Sequence, residues 1–337
     1  MVPVKKTSDF YSLYKYYGLS FIKLESARIL RKRLGLPSLF SIFICPSHQC
    51  NANCVHCYEK FPGSGTAYLS TNEVKDVIFQ FKKMGGVLCH FCSGEFLMRS
   101  DAMELIRYTH SLKLKSSITS NGLLLTREKI GELKEAGLTE LIVSIDSADP
   151  ARHDELRGVK GCFVKAVSAL KYAREFGIAT QIWTYVARSS KNELDAIAEL
   201  GRKAGAEITF VFFPLLSGKL FENQNENLSL EERENYRNKF NNNPSVLLEF
   251  KDESDCCRGG GNEHICVMPS GEVTFCPPVP YSYGNIHASK LTSIYKLIKK
   301  DYTKFCKSNC RGQCIVNFPE YRENCNARFI YDEKLKN

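Results

Sequence analysis

Cys50, Cys54 and Cys57 stand together in the run CNANCVHCY, spaced Cys-x3-Cys-x2-Cys, with Tyr58 next. Thiolates are soft ligands, and three in one short loop can surround a single metal centre. A structural zinc site takes four ligands, typically from paired Cys-x2-Cys units. His56 is the nearby candidate for the fourth, though its direct neighbour is Cys57 and the geometry is awkward. A [4Fe–4S] cube held by three cysteines instead leaves one iron without a protein ligand, open to a small molecule. A second thiol-rich region holds Cys256, Cys257, Cys266, Cys276, Cys306, Cys310, Cys314 and Cys325. Cys45, Cys89, Cys92 and Cys162 complete the fifteen, and no cysteine lies between Cys162 and Cys256. This distribution points to two metal-binding regions rather than scattered core thiols.

The elements that position the first loop are legible in the apolar pattern. Runs rich in Ile, Val, Phe and Thr at 39–45, 86–94, 116–122, 140–147, 180–187 and 207–214 predict six strands. Between them, apolar residues at i, i+3, i+4 spacing predict helices, two of them starting at Thr71 and Thr126 as N-caps. Six strand-then-helix repeats imply an α/β fold: a partial (β/α)6 TIM-like barrel over 39–216, with right-handed crossovers. Ligands collect at the C-terminal ends of such strands. Those ends carry Cys50–Tyr58, Ser93-Gly94-Glu95, Ser120-Asn121 and Ser144-Ile145-Asp146, with Arg157-Gly158 soon after. Glu95 stands out as a charge closing an otherwise apolar strand. Cys45 and the remaining lone thiols read as small core residues. Cys92, two residues before Gly94, is a candidate catalytic thiol facing the barrel interior.

Residues 1–38 read as a helical lead-in with Leu24, Ile29, Leu30 and Leu34 on one side, closing the barrel. The Asn-rich stretch 217–250 reads as a linker with a helix after Ser229. Residues 251–337 read as a small, loop-rich, Cys-rich domain, with a hairpin turning at Pro269-Ser270-Gly271 and a late helix over 289–302. Such a region lacks apolar core and needs metal clips.

The chain's 337 residues are 43% hydrophobic and 25% charged, enough for a proper core and unlike collagen, coiled coil or disordered chains. No run is apolar enough to span a membrane, and the N-terminus has no signal-peptide h-region. The odd cysteine count then places the protein in the cytoplasm with reduced or metal-bound thiols. The formal charge of +9 reads as a solvated basic surface. A zinc-binding module acting on nucleic acid is the distant alternative, opposed by the barrel repeats and the polar strand ends, so no nucleic-acid partner is expected.

Cys50, Cys54, Cys57 and Tyr58, placed after the first strand of a βα series, resemble the radical S-adenosylmethionine (SAM) enzymes. Ser93-Gly94-Glu95 resembles the family's Gly-Gly-Glu motif for the SAM amino group, with Ser for the first Gly and Phe96 for the usual Pro. The resemblance implies that Ser120, Asn121, Ser144 and Asp146 hold ribose and methionine groups, and that Arg157 lies near the SAM carboxylate. Gly271-x4-Cys276 followed by Gly284-Asn285-Ile286 resembles the SPASM extension, which carries auxiliary [4Fe–4S] clusters. It implies Cys257, Cys266, Cys276 and Cys314 on one auxiliary cluster. A second would take Cys306, Cys310 and Cys325, with Cys256 or an open iron. Zinc, or a single auxiliary cluster, stays open there. The implied reaction is reductive cleavage of SAM to a 5′-deoxyadenosyl radical, hydrogen-atom abstraction, and oxidation or cross-linking of the substrate. That substrate is a ribosomally made peptide or a small molecule such as a tetrapyrrole. The electron donor would be a flavodoxin or ferredoxin.

Overall fold

The computed structural model describes residues 22–59, 67–213, 218–221, 224–240, 242–249, 263–277, 279–306 and 319–330. The six expected strands are all present, as β1 (Ser41–Ile44), β2 (Leu88–Phe91), β3 (Lys115–Ser120), β4 (Glu140–Ser144), β5 (Ala179–Tyr185) and β6 (Ile208–Phe212). All run parallel in chain order. After the lead-in helix α1, over residues 22–33, come α2 (Thr71–Lys83), α3 (Ala102–Ser111), α4 (Arg127–Glu135), α5 (Pro150–Arg157), α6 (Cys162–Glu175) and α7 (Leu194–Ala204). Strand alternation sorts β1: Ile42 and Ile44 enter the core beneath the helices, while Phe43 faces the other way. Each fully buried Ile or Leu of this core contributes about 1.5–3 kcal/mol.

Three expectations need correction. Thr126 caps α4 as expected, but α2 is capped by Ser70, one residue before Thr71. The Ser70 hydroxyl accepts from the Glu73 amide while the Glu73 carboxylate takes the Ser70 amide, a reciprocal box that Thr71 could not form with Glu73. The apolar stripe of α1 does not close the barrel: Ile29, Leu30 and Leu34 are exposed. That helix buries Glu25 and Arg28 instead, because Arg28 bonds both Glu25 (2.7 Å) and the Ser38 carbonyl (3.2 Å). The stretch 217–250 is more than a linker. Besides the expected helix α8 (Leu230–Phe240), it supplies β7 (Val246–Leu248), a seventh parallel strand beside β6.

The expected hairpin forms from β8 (His264–Val267) and β9 (Glu272–Thr274), followed by β10 (Tyr281–Asn285) and β11 (Arg328–Phe329). It does not stand apart from the barrel. Strand β8 pairs parallel with β1, Ser41 opposite His264 and Phe43 opposite Cys266, so one sheet runs β11-β10-β9-β8-β1-β2-β3-β4-β5-β6-β7. The late helix is α9 (Leu291–Asp301), packed on β10, and α10 (Pro319–Asn324) follows.

Candidate active site

The loop after β1 is held by its neighbours' backbones. Asn53 and Val55 donate to the Arg157 and Leu156 carbonyls at the end of α5, both at 3.0 Å. Gly158 follows with φ +66°, and a Cβ there would meet the Asn53 carbonyl oxygen at 2.7 Å. Glycine is therefore what lets α5 press against the cysteine loop. On the other side, the Glu95 amide donates to the Gln49 carbonyl at 2.7 Å, and a Cβ on Gly94 would collide with that carbonyl.

These contacts turn the strand ends onto a cavity of about 240 Å³. Cys50, Cys54, Cys57 and Tyr58 line it from the loop, Cys92, Ser93 and Gly94 from just after β2, Ser120 and Asn121 from the end of β3, Ser144 from the end of β4, and Asp146 and Arg157 from beyond it. Cys276 closes it from the C-terminal hairpin. Trp183, Tyr185, Phe212 and Phe213, at the ends of β5 and β6 and just beyond, add an aromatic wall. Among the described residues, no trio of Cys, His, Asp or Glu has converged into metal-ligand geometry. The three loop thiols nonetheless suit a thiolate-bound cluster. All are partly exposed on one wall, and donors face their sulfurs: the Ala52 amide at 3.4 Å and Asn121 Nδ2 at 3.9 Å from Cys50, and Arg157 Nη1 at 3.7 Å from Cys54.

Glu95 does not line the cavity. Its carboxylate accepts from Ser120 Oγ (3.0 Å) and the Asn121 amide (2.9 Å), tying the end of β2 to the end of β3. Burial pushes its pKa up to about 7 despite those bonds. Asp146 is buried too, yet Arg157 at 2.6 Å and His56 at 3.3 Å outweigh burial and hold its carboxyl well below the usual range. Arg157 therefore spans Asp146 and Cys54, and His56 pairs with Asp146 and stacks on Tyr185 rather than joining Cys57 as a ligand.

Cys45 packs against two other thiols, 3.5 Å from both Cys92 and Cys266. Burial pushes its thiol up, but the bonds from Cys266 and Cys92 outweigh it and bring it down to about 6. Cys266 thus lies inside, beneath the cavity wall, beside Met268. Cys325 sits half-buried near the Ala327 carbonyl. Cys256, Cys257, Cys310 and Cys314, and the Cys306 side chain, lie outside the described residues.

Sequence reasoning passed over Glu59, His48, Glu249 and the aromatic wall. Only Glu59 left a signal, as a charge two residues after Cys57.

Residues 44–201 match the radical SAM superfamily. This stretch is a radical SAM domain. Its superfamily works with a [4Fe–4S] cluster and SAM, the group that the three loop thiols suit. The chain is similar to an AdoMet-dependent heme synthase of Oleidesulfovibrio alaskensis, 32% identical over 199 residues, 58% of this chain and 50% of the relative. The chain thus spans about half the length of that curated relative. It is also similar to the antilisterial bacteriocin subtilosin biosynthesis protein AlbA of Bacillus subtilis, 25% identical over 308 residues, 86% of this chain and 67% of that one. In fold it resembles SuiB of Streptococcus suis, solved bound to its precursor peptide SuiA, with a TM-score of 0.64 and 15% identity over 98% of this chain and 81% of SuiB. Among the described residues, no helix is long and apolar enough to cross a membrane.

Proposed function

We propose that this protein is a radical SAM oxidoreductase that modifies a peptide. The observation that carries the reading is that Cys50, Cys54 and Cys57 share one cavity with the polar strand ends and an aromatic wall. When bound, a [4Fe–4S] cluster with SAM supplies reductive cleavage of the sulfonium and hydrogen-atom abstraction. The chain holds that cluster through Cys50, Cys54 and Cys57. Arg157, fixed by Asp146, places positive charge beside the Cys54 sulfur. Ser93, Gly94, Ser120, Asn121, Ser144 and Tyr58 border SAM, and Trp183, Tyr185, Phe212 and Phe213 exclude water and orient the substrate. Glu95 acts by fixing the β2 and β3 ends. Cys276, with cysteines outside the described residues, would hold at least one auxiliary cluster, which would supply an electron acceptor for substrate oxidation; Cys266, expected as one of its ligands, is packed on Cys45 inside and is not placed to join it. In a redox-neutral turnover, with no electron passing to an auxiliary cluster, Cys92 would give its hydrogen atom to the substrate radical and its thiyl radical would be reduced by the external electron donor, so Cys92→Ala should lower product while leaving 5′-deoxyadenosine formation intact. Full product formation would remove that role.

A peptide is favoured over a tetrapyrrole because the described cations of the cavity are engaged. Arg157 and His56 pair with Asp146, and His48 pairs with Glu59. Propionate groups would find no unpaired cation among these three. AlbA also matches over far more of this chain than the heme synthase does. The free thiols of the described cysteines favour a reducing cytoplasmic setting with a flavodoxin or ferredoxin as donor.

The test is anaerobic reconstitution with iron and sulfide, followed by dithionite and SAM. Wild type should hold roughly 8–12 iron per chain if all sites fill with cubes and form 5′-deoxyadenosine. The triple Cys50→Ala, Cys54→Ala, Cys57→Ala variant should lose 5′-deoxyadenosine formation and keep the remaining iron. Persistent cleavage would overturn the assignment.

A further inference from the structure

Strands β8, β1 and β2 are neighbours, and together they bring three thiols into contact beneath the cavity. Cys45 Sγ lies 3.5 Å from both Cys92 Sγ and Cys266 Sγ, and none of the three is in a disulfide. The two pairs are not equivalent. Ile44 stands opposite Phe91, and the Cys92 amide donates to the Ile44 carbonyl at 3.1 Å, so Cys45 and Cys92 are the next pair along β1 and β2. Directly opposed residues on neighbouring strands lie about 5 Å apart at Cα, within the roughly 4.4–6.8 Å that a disulfide spans. Cys266 stands opposite Phe43, not Cys45. Strand spacing and rise put that diagonal at about 8 Å, too long for a disulfide unless the backbone moves. Access separates them as well: Cys92 lines the cavity, while Cys45 and Cys266 are 0% exposed and do not.

We propose that Cys45 and Cys92 are a redox-active dithiol, with Cys92 the thiol met from the cavity and Cys45 the thiol that resolves it. Cys92 adds to a small thiol oxidant, and Cys45 then attacks the Cys92 sulfur and displaces the reduced oxidant. Two S–H bonds break and one S–S bond forms; the oxidant takes up two electrons and two protons. The sulfurs need to approach by only about 1.5 Å, because the strands carrying them are already paired. Closure ties β1 to β2 just before the cysteine loop and Ser93, and it removes the Cys92 S–H from the cavity wall. Neither the cluster nor SAM enters this step.

The experiment treats the cluster-loaded, anaerobic protein with diamide, whose N=N bond is reduced to a hydrazine as a disulfide forms. The protein is then denatured in excess iodoacetamide, and its cysteines are mapped by peptide mass spectrometry. Wild type should lose the label from Cys45 and Cys92, yield a peptide pair joined through them, and regain both labels after dithiothreitol. Cys89, buried in the core, should stay reduced. Cys266→Ser should leave the link in place. In Cys45→Ser, Cys92 should stay unlinked and take iodoacetamide in the folded protein. In Cys92→Ser, Cys45 should stay reduced, because no thiol faces the cavity to begin the exchange. A Cys45–Cys266 link in wild type, or no Cys45–Cys92 link, overturns the proposal. Formation of that link in wild type needs no variant, so the decisive result stands even where a serine variant folds poorly.

Discussion

Single residues at this site divide into those facing the cavity and those holding its walls. Glu95 is the clearest of the second kind. Glu95→Ala strips the acceptor from the Ser120 hydroxyl and the Asn121 amide, so it should cost about 1–3 kcal/mol, read as a lower denaturant midpoint at unchanged slope. Its titration makes a second prediction. Burial lifts Glu95 to about 7, and Glu249 likewise. Between the ordinary glutamate value and about 7 the folded chain binds more protons than the unfolded one. The stability these groups contribute is therefore present below the ordinary value and lost as pH rises through about 7. Glu95→Gln should flatten that fall, whereas an unchanged pH slope of stability would mean that Glu95 is already ionised. At this scale the sequence was informative about residue type and position but silent about direction. Glu95 read as a cofactor contact because it ends a strand at the functional face, yet its side chain turns to β3. Arg157 read as a carboxylate ligand, yet Asp146 occupies it. A charge's partner lies across the fold, and no spacing rule reaches it.

Among elements, α5 matters most for the cysteine loop, and periodicity did not reveal it. Its eight residues, PARHDELR, are mostly polar and carry no apolar stripe, so the helix rests on Asp149 as cap, Pro150 at its start and Gly158 at its end. The five longer helices between barrel strands, α2, α3, α4, α6 and α7, announce themselves because each buries one face. The contact between α5 and the loop can be isolated with two glycines. Gly158 and Gly161 both have positive φ, but a Cβ on Gly158 meets the Asn53 carbonyl while one on Gly161 meets nothing within 4 Å. Each change to Ala carries a backbone cost of about 1 kcal/mol. Only Gly158→Ala should also speed amide exchange at Asn53 and Val55 and weaken iron retention by the loop. Equal behaviour of the two variants would show that α5 does not brace the loop. Strand β7 was hidden differently: three apolar residues after an Asn- and Pro-rich stretch are too few to show a period, and they become a strand because β6 offers an open edge.

Over the whole molecule, the barrel was readable because six repeats reinforce one another, while the joint between its two parts was not. Parallel pairing of β8 with β1 leaves no local mark, since both strands are short apolar runs with many possible neighbours. The joint makes the C-terminal region part of the barrel's own sheet. A chain ending at residue 249 should leave β1 with a bare edge and the cavity without Cys276, and it should elute from size-exclusion as aggregate. A monodisperse monomer would show that the barrel closes without β8. The same pairing bears on how the protein is made. Ser41 and its partner His264 lie 223 positions apart, so at 5–20 residues per second the ribosome delivers the second roughly 10–45 s after the first. Throughout that interval one side of the founding strand is unclaimed in the nascent chain. A pause in translation between those points would lengthen the interval, and chaperone occupancy of the emerging barrel should rise with it.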